Sequence, residues 1–232
     1  TGDSLARIWA VVPAGGTGSR MGAPIPKQYL EISARSMLER SVSALLRADW
    51  IARVVVVSAP DDARAVTALA ALDRVVVVPR GGATRRDSVL SGLHFLGQSL
   101  RAEHSDWVMV HDAARPALQL AALERLREAV GEGLTGAILA TPVADTVKRM
   151  QSGAALVAST VEREGLWLAQ TPQMFRLGQL LDALERQEKV TDEASAIELN
   201  GGEVKLVEGD RDNFKVTSQD DLEMMRRLLG GA

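Results

Sequence analysis

The 232-residue sequence has no cysteine, which removes disulfide frameworks, thiol nucleophiles and thiolate metal sites together. Its three histidines, His94, His104 and His111, are scattered, leaving little from which to build a zinc site. Long apolar runs are missing too. Stretches such as residues 54–57 and 75–78 fall far below the roughly 20 residues of a membrane span, and no charged-then-apolar signal segment opens the chain. Neither sign of charge dominates: 27 Lys and Arg face 30 Asp and Glu, and a net charge of −3 gives no global attraction for nucleic acid or an anionic membrane. What is present is 46% hydrophobic residues, enough for a sizeable core, and the chain is read as one domain over residues 1–232. A soluble protein is expected, and the lack of cysteine is compatible with a reducing cytoplasmic compartment.

Five apolar, β-branched runs recur at residues 8–12, 54–57, 75–78, 107–110 and 137–143. Their apolar residues are successive instead of alternating, as in parallel strands covered on both faces. Between them lie helix signals. Ser36-Met37-Leu38-Glu39 forms a capping box ahead of Val42, Leu45 and Leu46, and Thr84-Arg85-Arg86-Asp87 resembles one ahead of Val89, Leu93 and Leu96. Segments 61–72 and 119–130 fill the remaining crossovers. The expectation is an α/β fold: a three-layer α/β/α sandwich around a mostly parallel, Rossmann-like sheet. After Pro142 short strand-like runs at 146–150, 156–161 and 166–170, separated by Gln151-Ser152-Gly153 and Glu162-Arg163-Glu164-Gly165, predict a protruding β-arm over residues 142–170. Such an arm is marginal alone and carries Leu156, Val157, Val161, Leu166 and Trp167, so it must pack on its own domain or on another subunit. A dimer arm is favoured. Helices at 177–187, 192–199 and 219–229 and strands at 203–207 and 213–216 complete the pattern.

The first strand runs into Pro13-Ala14-Gly15-Gly16-Thr17-Gly18-Ser19-Arg20-Met21-Gly22, a glycine-rich turn at the carboxyl end of a strand, where open α/β sheets bind ligands. Successive amide N–H groups in such a turn make an anion cradle. It is neither a Walker A loop, lacking Gly-Lys-Ser/Thr, nor the dinucleotide fingerprint, whose third glycine is replaced by Met21. Arg20 and Lys27 flank it and suit a triphosphate, although a tight turn with two solvent-facing cations remains an equal reading of this segment alone.

Val110-His111-Asp112-Ala113-Ala114-Arg115-Pro116 ends a second core strand at the same sheet edge. Asp112 there can hold Mg²⁺, directly or through water, or can close a loop by pairing with Arg115; both readings stand. His111 reads as structural, satisfying a neighbouring backbone group. Thr191 reads as the N-cap of a helix beginning Asp192-Glu193, and contributes to a site only if it faces one. Lys215 lies on the 213–216 strand, where buried neighbours would require an anionic partner for its ammonium, and Thr217 with Asp220 caps the last helix.

As a set these segments, with Pro26-Lys27-Gln28-Tyr29 and Asp87-Ser88-Val89, resemble the 2-C-methyl-D-erythritol 4-phosphate cytidylyltransferase family from about Ile8 to Leu229. The resemblance implies a nucleotide-diphospho-sugar-transferase-like fold and a homodimer interlocked by the arm. It also implies CMP transfer from CTP to methylerythritol phosphate, with Mg²⁺ as cofactor. It assigns Arg20, Lys27 and Lys215 to charge neutralisation at the α-phosphate. CTP would lie on Pro13, Ala14, Gly15, Gly16, Gly18, Gly82, Ser88 and Ala113. Asp112, Arg115, Thr146, Arg163, Thr171 and Thr191 would surround methylerythritol phosphate, with Thr146 and Arg163 supplied by the neighbouring subunit. Ala83 departs from the acidic residue that some relatives place near the base. A ribitol-5-phosphate cytidylyltransferase shares the glycine loop and the Asp-Ala-Ala-Arg-Pro turn, and a catalytically silent nucleotide-binding module is the reading from another class.

Overall fold

A computed structural model describes residues 6–16, 22, 24–131 and 135–230. The first strand, β1 (Ile8–Ala14), is followed by a 3₁₀ turn (Lys27–Tyr29) and a small hairpin, β2 (Glu31–Ile32) and β3 (Arg35–Ser36), that leads into helix α1 (Met37–Leu46). The chain continues through β4 (Ile51–Ser58), α2 (Arg64–Leu69), β5 (Val75–Val78), α3 (Arg85–Ser99), β6 (Trp107–Val110), α4 (Leu120–Ala129) and β7 (Gly136–Pro142). A hairpin of β8 (Val147–Met150) and β9 (Val157–Val161) precedes β10 (Trp167–Arg176), α5 (Leu177–Arg186), α6 (Glu193–Leu199), β11 (Val204–Glu208) and α7 (Gln219–Gly230).

The central sheet has seven strands in the order β11-β7-β10-β6-β1-β4-β5. Pairing is parallel except at β10, which runs antiparallel to both β6 and β7. The valine runs split between two cores because successive side chains point to opposite faces. Ala10, Val12, Val54 and Val56 meet α1 and α4 through Leu38, Leu45 and Leu123, whereas Val11, Val55 and Val57 meet α3 and α5 through Val89, Leu93 and Leu180. A third cluster seats α7, through Leu222 and Met225, on Ile32, Met37 and Val216. The expected mostly parallel α/β sandwich is observed.

Local chemistry fixes the boundaries. Ser36 accepts a hydrogen bond from the Glu39 N–H, and Thr84 and Asp87 complete a reciprocal capping box at α3. The expected helix at 61–72 shortens to Arg64–Leu69, with the Asp62 carboxylate accepting the Arg64 N–H. Asp192, not Thr191, caps α6, exchanging hydrogen bonds with Ser195. The start of α7 is secured by Ser218 and Asp221, with Asp221 in place of Asp220 as the partner of Thr217: the Asp221 N–H donates to Ser218 Oγ, and the Thr217 hydroxyl and the N–H groups of Thr217 and Ser218 donate to Asp221 Oδ2.

Two strands differ from expectation. Residues 213–216 join no sheet: Val216 donates one backbone hydrogen bond to Ala114, and the Asn213 side chain donates to Gln170 Oε1 and the Thr171 carbonyl. The run expected to stop at residue 170 instead continues as β10 into the centre of the sheet. Its outer end pairs Trp167–Leu168–Ala169 with Pro142–Thr141–Ala140, its register shifts between Ala169 and Gln173, and its inner end lies between β6 and β7. The hairpin and this outer end leave Met150, Leu156, Val157, Leu166, Trp167 and Leu168 between 37% and 65% exposed, an unusual density of apolar side chains facing solvent.

Candidate active site

Parallel registration brings the carboxyl ends of β1, β4 and β6 to one edge, since Ala14 aligns with Ser58 and Val11 with Val110. A cavity of about 580 Å³ opens there. Pro13, Ala14, Gly15 and Gly16 form one wall, Gly82 and Ser88 a second, and Asp112, Ala113, Lys27 and Lys215 close the remainder. Arg20 and Gly18 lie outside the described residues.

The glycine wall is held from behind by the buried Gln28, whose Nε2 donates to the carbonyls of Ala14 and Gly16, both at 2.9 Å. Engaging these carbonyls from the rear fixes the path of the loop. At the opposite wall the Gly82 N–H donates to Ser88 Oγ at 3.1 Å, and that hydroxyl donates to the Thr84 carbonyl. A Cβ on Gly82 would lie 2.3 Å from that of Asp87, so glycine is required for the loop to approach α3.

The 3₁₀ turn aims Lys27 across the cavity, where its Nζ donates to the Val216 carbonyl at 3.1 Å. Val216 adjoins Lys215, so two ammonium groups from opposite ends of the chain converge on one segment. Lys215 Nζ in turn lies 3.1 Å from Asp112 Oδ2.

Asp112 is the hub. Arg85 reaches its Oδ1 from 2.9 Å, and Arg115 Nε lies 3.6 Å from its Oδ2. Burial alone would raise this carboxyl, but Arg85, Lys215 and Arg115 outweigh it and hold it below the usual carboxylate range. The backbone is fixed by a relay. Since His111 Nε2 faces the Arg115 carbonyl, that nitrogen carries the proton, and Nδ1 accepts from the Thr171 hydroxyl, whose oxygen accepts the Asp112 N–H. Burial pushes the fully enclosed His111 imidazole down to about 4, so it is a neutral, structural member of the site. Arg115 also donates to the Asn213 carbonyl at 2.7 Å, tying the segment that carries Lys215 to the end of β6.

Thr171 and Arg115 therefore join Asp112, although neither lines the cavity itself. Thr191 is exposed two residues before Glu193, while Thr146 and Arg163 are exposed on the arm. Arg163 donates to the Ala144 carbonyl beside a separate recess of about 440 Å³ bordered by Glu162 and Trp167. Sequence reasoning missed Arg85, Glu193, Gln28 and Asn213. Arg85 and Glu193 had been visible only as part of a helix start and as a first-turn acid.

These donors do not fit a divalent cation held by protein alone. Such a cation takes about six oxygen ligands; both oxygens of Asp112 are already engaged by cationic side chains, and among the described residues no three His, Asp or Glu side chains converge to hold a metal. Of the two roles left open for Asp112, the ion pair is the one seen here, with Arg85 and Lys215 joining the expected Arg115. The excess of cations around it suits an anionic ligand.

Comparison with known proteins agrees with this chemistry. The family model of 2-C-methyl-D-erythritol 4-phosphate cytidylyltransferase matches residues 8–230. Enzymes of that name from Laribacter hongkongensis and Paraburkholderia phymatum are 50% and 46% identical to the chain, each match covering 97% of both sequences. A crystal structure of a 4-diphosphocytidyl-2C-methyl-D-erythritol synthase superposes with a TM-score of 0.86 at 40% identity, covering 97% of this chain and 98% of the other. The Francisella tularensis cytidylyltransferase gives 0.80 at 32% identity, covering 95% and 98%. With a glycine cradle, converging lysines and a full-length match, the chain belongs to the 2-C-methyl-D-erythritol 4-phosphate cytidylyltransferase family.

Proposed function

We propose that this protein is a cytidylyltransferase that moves CMP from CTP to 2-C-methyl-D-erythritol 4-phosphate, giving 4-diphosphocytidyl-2-C-methyl-D-erythritol and pyrophosphate. The observation that carries the reading is the convergence of Lys27 and Lys215 opposite the glycine wall, with Lys27 Nζ on the carbonyl next to Lys215. A phosphate oxygen of the acceptor attacks the α-phosphorus of CTP; the bond from that phosphorus to the bridging oxygen breaks, and its electron pair leaves with pyrophosphate. The acceptor needs no general base, because a phosphate monoester with a second pKa of about 6 is already ionised near neutral pH. What the protein must supply is position and positive charge.

In this reading CTP lies along Pro13, Ala14, Gly15, Gly16, Gly18 and Ala113, with its base and ribose near Ala14, Gly15, Gly82 and Ser88. Lys27, Lys215 and Arg20 neutralise charge as the α-phosphate becomes five-coordinate. Asp112, Arg115, Thr171 and Thr191 face the acceptor. Mg²⁺, which the protein's residues would not hold alone, would supply further neutralisation of the triphosphate charge when bound with the nucleotide. The arm, residues 142–170 of a single-domain subunit, docks on a second copy and brings Thr146 and Arg163 to its cavity; the apolar surface left exposed on the arm, and a cavity lining that includes neither residue, favour this homodimer. A cytoplasmic enzyme with no nucleic-acid or membrane partner accords with the net charge of −3 and with the lack, among the described residues, of a helix long and apolar enough to cross a membrane.

Pyrophosphate release tests the reading, with purified protein, Mg²⁺ and CTP in the presence of methylerythritol phosphate, ribitol 5-phosphate or no acceptor, and with ATP, GTP and UTP as controls. Release with CTP and methylerythritol phosphate is expected. Release with ribitol phosphate alone would keep the mechanism and change the acceptor, while CTP binding without release would leave a nucleotide-binding module.

A further inference from the structure

Arg85 is the first residue of α3, on the wall that carries Gly82 and Ser88, yet its guanidinium points to the other half of the site. Nη1 and Nη2 fork onto Glu193 at 2.6 and 3.2 Å, while Nε donates to Asp112 Oδ1 at 3.0 Å. Glu193 is only 1% exposed, and among the described residues Arg85 alone pairs with its carboxylate. Burial would lower the Arg85 pKa, but Glu193 and Asp112 raise it, so the guanidinium is a permanent charge locked between two acids.

We propose that Arg85 is a positioning residue of the transfer reaction, a latch that fixes Asp112 and the start of α6 and thereby sets the acceptor half of the site from the nucleotide half. This role rests on the cytidylyltransferase reading. Three cations, Arg85, Arg115 and Lys215, surround two acids, Asp112 and Glu193, and leave one net positive charge for an incoming phosphate. Arg115 is tied to the Asn213 carbonyl, and Arg85 is the cation held by a second carboxylate, through its fork on Glu193. With Oδ1 held by Arg85, Oδ2 is presented to Lys215, whose long stem does not orient itself. The same fork anchors Glu193, two residues from Thr191. A lysine cannot span both acids with a planar fork.

Arg85→Lys keeps the charge and loses the fork; Glu193→Gln releases the fork at its far end with little change of shape. For each variant and the wild type, kcat and KM are measured for both substrates, with the CTP dissociation constant and melting temperature alongside. The expected result is folded protein, CTP affinity within about threefold of wild type, and kcat/KM for methylerythritol phosphate reduced about tenfold to hundredfold, the scale of a small misplacement of reacting groups. Folded variants with acceptor kcat/KM within threefold of wild type would overturn the latch. So would losses that are equal for both substrates and track the fall in melting temperature, since those mark a purely structural ion pair. Should Arg85→Lys fail to fold, Glu193→Gln carries the same test. A wild-type enzyme silent with methylerythritol phosphate overturns the parent reading and this role together, whereas an active wild type with unaffected variants overturns this role alone.

Discussion

Lowering the pH from about 7.5 to about 5 removes stability through one residue, His111. Its ring is fully buried, and burial pushes its pKa from 6.5 down to about 4. The unfolded chain therefore takes up a proton near pH 6.5 that the folded chain refuses until about pH 4. Stability is complete above pH 7, falls as the pH drops through that interval, and is lost in the amount of about 3 kcal/mol once pH 4 is reached, roughly 2 kcal/mol of it by pH 5. Asp112 contributes in a different window: its carboxyl is held below the ordinary range, so its share is present above about pH 4 and is lost below it.

Urea denaturation followed by tryptophan fluorescence at about pH 7.5, 6 and 5 measures the slope. His111→Gln should lose about 1–3 kcal/mol at pH 7.5, since it disturbs a buried relay, but should be nearly level between pH 7 and 5. A wild-type stability that does not change across this range, or a slope that persists in the variant, would refute the assignment of His111 as a buried neutral imidazole. Activity should fall along with stability on the acid side. A protonated ring would lose the Nδ1 lone pair that accepts the Thr171 O–H, leaving that buried hydroxyl proton without its acceptor and loosening the hub from behind.

Three further outcomes are expected. Gly82→Ala places a Cβ 2.3 Å from that of Asp87, and the resulting displacement of the loop should raise the KM for CTP about tenfold, with overpacking costing about 1–3 kcal/mol; an unchanged KM would remove this wall from the nucleotide site. Lys27→Ala and Arg20→Ala should each lower kcat by about a hundredfold and raise the KM for CTP far less, and a near-normal kcat would count against their action in the transition state. Leu168→Asp and Trp167→Asp, at exposed arm positions, should yield folded monomers in sedimentation with little transfer activity, and a fully active monomer would rule out the shared site.

The strands of the central sheet were legible because buried parallel strands must be apolar on both faces, and Val54 to Val57 satisfy that condition one residue after another. Strand β10 was half legible for the converse reason. Its inner end carries Gln170, Thr171 and Gln173, all buried, and a polar interior interrupts the pattern by which a strand is read. Those same residues bind the site together: Gln173 Nε2 donates to Asp192 at the cap of α6, and Asn213 reaches Gln170 and Thr171 from the segment bearing Lys215. That segment read as a strand because Phe214 and Val216 are spaced for one, yet side-chain amides replace the ladder there.

For Asp112 the sequence left two roles open, metal ligand or ion pair, because residue types do not reveal which partners arrive from elsewhere in the chain. Arg115, three residues on, was visible. Arg85, 27 residues away, and Lys215, far beyond it, were not visible as its partners, and Glu193 meets Arg85 across 108 residues. Once all three cations are counted against two acids, the balance around Asp112 is positive. Asp112 and Glu193 together hold the three cations in place and leave one positive charge of the kind that a phosphate would meet.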